Sequence, residues 1–368
     1  MSGFIHGMDV SSMDEVVKLG GKFYDKGQEN GLLEILESYG ANYVRLRLWL
    51  DPYTEDGKPY GAGCNNLEVT MRMAKQAKAL GMKWLLDFHY SDFWTDPGKQ
   101  FKPKAWKDYS AEELEGVIYE YTKDVMLTLK EQDCAPDMVQ VGNEITNGFV
   151  WPDAKKPEYE KIACYVSAGI RAVREVNKEA VVMIHLDHGD DQEMYKDWFD
   201  NYLKCKGEDF DVIGMSYYPV WNGKIQGLID NMNMLADRYG KPMIVAEVSQ
   251  PFTMEDYADY EGLTPEQRKG YATKPALVEQ MEYPATVEGQ MAFMKHFLKE
   301  IAAVKNGLGI GYFYWEPAWL PVKGSGWATA EGLEYINDPG PCGNEWANQA
   351  LFDYNGNALP TLEVIKNF

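Results

Sequence analysis

The sequence predicts an α/β protein: a single (β/α)8 TIM barrel with extended top-face βα loops, one domain over residues 1–368. Eight short apolar runs rich in β-forming residues recur along the chain. Helical patterns separate them, and such alternation implies parallel strands joined by right-handed crossovers. No GxGxxG follows the first run, so the dinucleotide-binding form of an open sheet lacks its signature. No internal repeat, low-complexity tract or long linker divides the chain.

In order, the runs are Phe4–Val10, Asn42–Trp49, Lys83–His89, Met138–Asn143, Ala180–Asp187, Asp211–Tyr217, Pro242–Glu247 and Gly309–Trp315. Between the second and third, Asn66 reads as the cap of a helix. Its apolar Met73, Ala77 and Leu80 fall at i, i+4 and i+7, and Gly81 stops it. Between the third and fourth, Ser110 and Glu113 form a capping box. Leu114, Val117, Ile118, Tyr121 and Val125 then make a buried stripe. Before the seventh, "GLIDNMNMLADRYGKP" ends in Gly240 and Pro242, the usual stop order. Long insertions fall at 90–110 and 248–285, each just after a strand, where a barrel binds substrate.

Lys and Arg number 36 against 57 Asp and Glu, a net charge of −21. Such a surface repels phosphate backbones and anionic bilayers, so nucleic acid and membrane are not expected partners, whereas a neutral substrate is tolerated. No apolar run reaches the 18 residues of a spanning helix. Cys64, Cys134, Cys164, Cys205 and Cys342 are odd in number and lack CxxC spacing, which reads as free thiols without a disulfide framework or zinc site.

The strand ends carry the chemistry. "QVGNEITNG" takes an apolar run straight into Asn143 and Glu144. One polar residue at a strand end is ordinarily just solvated, but most of the runs end this way. Arg45 and Arg47 share one face by two-residue alternation, as do Asp87 and His89, and His185 and Asp187. Ser216, Tyr217 and Tyr218 close the sixth run, Glu247 the seventh, and Trp315 and Glu316 the eighth. On a barrel these ends converge on one mouth, where catalytic side chains gather.

Glu144 and Glu247 are the two carboxylates that best fit glycosidase roles. A pair about 5–5.5 Å apart performs retaining hydrolysis, and about 6.5–9.5 Å leaves room for water and inversion. The acid must keep its proton, which burial or a nearby negative charge provides. Arg45 could hold the nucleophile ionised through a charge-assisted hydrogen bond. The alternative for both Arg45 and Arg47 is a structural ion pair inside the barrel with Asp87 or Asp9, and Arg47 reads equally either way. Asn143 could bond a sugar 2-hydroxyl, and His89, His185 and Asp187 fit either sugar ligands or hydrogen-bonded scaffold. Trp49, Trp94, Trp151, Trp221, Trp315, Trp319 and Trp327 lie at or soon after strand ends, where flat rings stack on pyranose faces. Trp84, Trp198 and Trp346 read as packing residues.

Taken together, "GMDVSS", "VRLRLWLDP", "LLDFHYSDFWTDPGKQ", "VQVGNEITNGFVWP", "MIHLDHG", "GMSYYPVWNG", "VAEVSQPFT" and "GYFYWEPAW" resemble the endo-β-1,4-galactanases, family 53 of the glycoside hydrolases, from about Phe4 to Phe352. The resemblance implies retaining, internal cleavage of β-1,4-galactan, the backbone of type I arabinogalactan in pectin. Glu144 would be acid/base and Glu247 nucleophile. Arg45, His89, Asn143, Tyr217 and Trp315 would line the subsite of the reacting sugar, with Trp319 and Trp327 more distal. Asp87, Trp94, His185 and Asp187 complete the expected substrate-binding set. Galactan and galacto-oligosaccharides would be the partners, with no obligate protein partner and no required cofactor. Several bacterial relatives hold calcium, but here Asp256, Asp259 and Glu261 lack the ligand spacing and Ala347 stands where an acid belongs, so a calcium site is not expected.

A polymeric substrate favours a secreted or cell-surface enzyme whose export signal is absent from this sequence, because Met1–Ile5 lacks a signal peptide's basic region; a cytoplasmic enzyme would need imported oligomers. Rival readings are a barrel glycosidase acting on mannan, arabinan or xylan, and a non-catalytic sugar-binding barrel. A metal-dependent hydrolase using His89, His185, Asp187 and His188 would want an HxH pair, and none occurs.

Overall fold

A computed structural model of the chain describes residues 3–255, 257 and 278–368. The strands are β1 (Ile5–Asp9), β2 (Tyr43–Leu48), β3 (Lys83–Phe88), β4 (Met138–Val141), β5 (Val181–Leu186), β6 (Val212–Tyr217), β7 (Met243–Val248) and β8 (Gly309–Trp315). The main helices after them, in turn, are α1 (Leu32–Ser38), α2 (Leu67–Ala79), α3 (Leu114–Glu131), α4 (Tyr159–Val176), α5 (Gln192–Lys204), α6 (Ile225–Tyr239), α7 (Val287–Ala302) and α8 (Thr361–Lys366). The strands close a barrel in the order β1-β8-β7-β6-β5-β4-β3-β2. All neighbours are parallel, and β1 seals against β2 through Gly7–Tyr43, Met8–Val44 and Asp9–Arg45. This is the expected (β/α)8 architecture.

Most strands stop one or two residues short of their expected ends, because the last residues have left the ladder. β4 ends at Val141 and β3 at Phe88, so Asn143, Glu144 and His89 stand on the rim above it. The helix stops behave as the sequence implies: Asn66 accepts from the Val69 amide, and Gly240 takes the left-handed conformation. The capping box forms, with the Ser110 amide 2.8 Å from Glu113 Oε2, yet α3 itself begins only at Leu114. The buried stripe of α3 is rotated from expectation. Thr122, Met126 and Leu129 are buried, whereas Val117 and Tyr121 are half-buried. Thr122 escapes an apolar pattern because its hydroxyl is satisfied 2.8 Å from the Tyr90 hydroxyl.

Inside the barrel, Ile5, Tyr43, Leu85, Met138, Met183, Val212, Ile244 and Phe313 form a dry lower layer. Two to four residues further along the strands the inward positions turn polar: Asp9, Arg45, Asp87, Gln140, His185 and Ser216. A second, larger apolar core lies between strands and helices and includes Trp84 and Trp198, as expected. One irregularity aims a side chain. Met215 pairs with Val245, but the next pair is Ser216 with Glu247, so Ala246 is extra. Such a bulge re-aims the following residue. Ile244 and Ala246 already face inward, and the bulge lets Glu247 face inward too.

The five cysteines are free, and no helix among the described residues is long and apolar enough to cross a membrane. The 90–110 insertion folds over the barrel mouth, whereas much of 248–285, including Asp256, Asp259 and Glu261, lies outside the described residues.

Barrel closure is sensitive at Gly311, where φ is +150° and a Cβ would sit 2.4 Å from the Ile5 carbonyl oxygen. Gly311→Ala is expected to destabilise the protein by about 1–3 kcal/mol. Gly116→Ala on α3, where a Cβ meets nothing within 4 Å, is expected to stabilise it by up to about 1 kcal/mol. Urea denaturation midpoints of the two variants, moving in opposite directions, check this.

Candidate active site

Arg45, 1% exposed, organises the barrel mouth. Its Nη1 donates to Asp9 (2.7 Å), and its Nη2 donates to Asp87 (2.8 Å) and Asn143 Oδ1 (2.9 Å). The same Nη2 lies 2.9 Å from Glu247 Oε1, and Nε donates to Gln140 Oε1 at 3.1 Å. Burial works against the guanidinium charge, but Asp87, Glu247 and Asp9 outweigh it and hold the pKa above its ordinary value. Asp87 shows the converse. Burial would raise it, yet Arg45 and then His89 hold it below the usual carboxylate range.

His89 is kept neutral by burial. Its Nδ1 faces two N–H donors, the Trp49 indole (3.2 Å) and the Thr95 amide (3.3 Å), so Nε2 carries the proton toward Asp87 at 3.1 Å. His185 is also neutral by burial, its pKa held well below the ordinary value. It bonds Ser216 Oγ at 2.9 Å, and Ser216 donates to Glu144 Oε1 at 2.5 Å.

Glu144 follows Gly142 (φ +86°) and adopts φ 47°, ψ 50°. This is left-handed backbone that a glutamate rarely takes, and such strain clusters at functional sites. One oxygen of Glu144 and one of Glu247 lie within 4.8 Å of each other. Both residues are nearly buried, at 9% and 7% exposure. Burial, then Glu247, then Asp187 push Glu144 well above the ordinary carboxyl range. Burial also raises Glu247, to about 7, but Arg45 and the Tyr218 hydroxyl (2.7 Å from Oε2) pull against it. Glu144 therefore keeps its proton at a pH where Glu247 loses its own. His185 also comes within 4.8 Å of both glutamates. Its nitrogens are engaged by Ser216 and Gln140, and Arg45 already occupies the cation position against Glu247.

Above this layer lies a cavity of about 550 Å³. Arg45, Asp87, His89, Trp94, Asn143, Glu144, Asp187, Glu247, Trp315 and Trp327 line it, as the strand-end reading expects. Three expected residues do not. Tyr217 points outward, donates to the Gly223 carbonyl at 2.6 Å and stacks near Phe293 and Phe297. Ser216 faces inward, so alternation sends Tyr217 out and brings Tyr218 in. His185 lies beneath the cavity floor as scaffold. Trp319, 2% exposed, packs behind Trp315 at 5.6 Å and donates to Asn344 at 2.7 Å.

Arg47 pairs with Glu316 at 2.5 Å, not with Asp87 or Asp9. Its guanidinium lies 4.3 Å from the Trp94 ring centre and 5.0 Å from that of Trp49. Trp49 is fully buried, and Trp151 stacks under Lys155 away from the cavity. Trp221 lines the cavity as expected, and so does Trp346, which the sequence assigns to packing. Trp346 stands edge-on to Trp315 at 5.6 Å. The sequence reading also misses Lys99 and Glu345. Trp346 and Glu345 sit far beyond the last strand, where strand-end logic has no reach.

The profile of glycosyl hydrolase family 53 matches residues 5–365. The chain belongs to glycosyl hydrolase family 53. It is 38% identical to an endo-beta-1,4-galactanase of Bacillus subtilis (strain 168), over 99% of this chain and 85% of that protein. The Ignisphaera aggregans GH53 catalytic domain superposes with a TM-score of 0.90 and 38% identity, covering 98% of this chain and 95% of that one. A structure from a study of two fungal beta-1,4-galactanases gives 0.78 and 27%, covering 98% of each chain. As a family 53 barrel, the chain presents its paired glutamates just beyond β4 and on β7, lining one cavity.

Glu345 offers a test of the burial described here. It is 3% exposed and burial pushes its pKa to about 9. The folded state thus keeps a proton that the unfolded state releases near 4.5, so wild-type stability falls as pH rises across that window. Glu345→Gln is expected to match wild type near pH 4 and to exceed it by about 1 kcal/mol or more at pH 8. Urea unfolding at both pH values measures the difference.

Proposed function

We propose that the protein is an endo-acting β-1,4-galactanase that works by retaining double displacement, with Glu144 as acid/base and Glu247 as nucleophile. The supporting observation is the separation: carboxyl oxygens within 4.8 Å suit the roughly 5–5.5 Å spacing of retaining enzymes better than the roughly 6.5–9.5 Å of inverting ones. Glu144 gives its proton to the glycosidic oxygen as Glu247 attacks the anomeric carbon. The leaving chain departs as an alcohol, and the sugar is held as an ester on Glu247. Esterification removes the charge beside Glu144, so Glu144, having given up its proton, stays ionised and is free to take a proton from water. That water opens the ester and restores both glutamates.

Arg45 supplies the fixed positive charge that keeps Glu247 ionised, so no metal is needed at this step. Asn143, held by Arg45 and by the Thr95 carbonyl at 3.0 Å, faces the cavity beside Glu144 and is the candidate partner of the 2-hydroxyl. Trp94, Trp221, Trp315, Trp327 and Trp346 offer apolar faces to neutral sugar rings. A galactan polymer does not cross a bilayer, so we place polymer cleavage outside the cell; inside it, galacto-oligosaccharides are the substrate.

Glu247→Gln is expected to bind galactan and cut it at least ~10³-fold more slowly. Glu144→Gln is expected to lose far less on an aryl galactobioside with an acidic phenol than on galactan. Comparable losses of Glu144→Gln on both substrates would reject the acid role.

Tyr218→Phe removes a donor that favours ionised Glu247. The Glu247 pKa then rises, and the acid limb of kcat/KM is expected to move to higher pH while the alkaline limb stays. A pH–rate profile of the variant reads this directly.

A further inference from the structure

Asp187 ends β5 and lines the cavity at 6% exposure, yet both of its oxygens are engaged by protein. Oδ1 accepts from the Thr146 hydroxyl, and Oδ2 lies 2.5 Å from His188 Nδ1. The Asp187 amide in turn donates to Thr146 Oγ1 at 3.2 Å. Thr146 belongs to the short turn Ile145–Asn147 that follows Glu144. A second anchor holds that turn, the Trp198 indole donating to the Ile145 carbonyl at 3.1 Å. The strained backbone of Glu144 is thus tied to the end of β5 two residues beyond its left-handed turn, and to α5 one residue beyond it.

We infer that Asp187 is a positioning residue for the acid: through Thr146 it fixes the turn that aims Glu144, and its negative charge keeps the proton on Glu144. The inference rests on the reading of Glu144 as acid/base. Both effects follow from placement. Oxygens already committed to Thr146 and His188 are poorly disposed to bind sugar, while a carboxylate beside a second carboxyl favours the protonated form of that neighbour.

Among the described residues, the charged and titratable groups around Glu144 are Glu247 from β7, His185 from β5 and Asp187 just after it, Asp96 from the loop after β3, and Tyr218 just after β6, with the Ser216 hydroxyl bonded to it. Tyr195 of α5 faces both Asp187 and Glu144, and His188 faces Asp190 and Asp191 as well as Asp187. Glu247 is the stronger neighbour of Glu144 before reaction, with Asp187 next. Once Glu247 carries the sugar its charge is gone. Asp187 then remains beside Glu144 and keeps it basic enough to take a proton from water.

The test is the pH dependence of kcat/KM on galactan for wild type, Asp187→Asn, Thr146→Val and Glu144→Gln. Asparagine keeps the shape and the bond from Thr146 but not the charge. Its alkaline limb is expected to move to lower pH by about one unit, with the acid limb in place. Thr146→Val, which keeps the volume, is expected to lower kcat about tenfold with little change in KM. An Asp187→Asn alkaline limb at the wild-type position overturns the inference, as does a Thr146→Val enzyme with wild-type kcat. If the alkaline limb persists in the residual activity of Glu144→Gln, another group is the acid, and the reading beneath the inference fails with it. If it is lost there but unmoved in Asp187→Asn, the inference alone fails.

Discussion

A single guanidinium buried in the barrel mouth sets the terms for the rest of the molecule. Arg45 reaches Asp9 on β1, Asp87 on β3, Gln140 on β4, Asn143 above β4 and Glu247 on β7. Taking such charges out of water is expensive, and a fold selected for stability alone would do as well with apolar residues there. What the expense secures is geometry. The planar fork of arginine holds several acceptors at set angles, which a lysine would not. Five acceptors on four strands are locked together before any substrate arrives, and the dry layer beneath them gives that lock a rigid base.

From this follows the difference between the two glutamates. They lie in the same cavity and are almost equally buried, so burial alone would raise both. Of the two glutamates, Arg45 pairs with Glu247 and the Tyr218 hydroxyl bonds it. Glu144 has instead one short bond from Ser216, which is oriented by His185, and three neighbouring carboxyl groups, Glu247, Asp187 and Asp96. The asymmetry arises from what stands next to each residue, and in the proposed mechanism it inverts when Glu247 is esterified.

Much of this could be read from the chain, and the misses share a cause. The eight strands, the barrel and the two glutamates were legible because apolar runs and polar ends are local patterns. Arg45 was legible as a partner of Glu247 because alternation puts it on the inner face. Tyr217 was mistaken for its neighbour because its strand end carries two tyrosines, and only the inward facing of Ser216 decides between them. Ala246 makes Glu247 face the cavity through a bulge that no propensity signals. Trp319 and Trp346 exchanged roles because the loop after β8 has no periodicity from which to read a direction. The choice of Glu316 as the partner of Arg47 depends on two strands distant in sequence, and charge pairing at that range is invisible until the barrel closes.

Trp315, which ends β8, aside, the aromatic walls have an origin different from that of the acids they surround. Trp94 comes from the loop after β3, Trp221 from that after β6, and Trp327 and Trp346 from the long stretch after β8. The glutamates and Arg45 sit on or beside the strands themselves. Divergence can therefore proceed on two separate tracks. Descendants can exchange, lengthen or lose loop tryptophans and acquire a taste for longer, shorter or branched chains, while the inherited bond-breaking centre stays untouched.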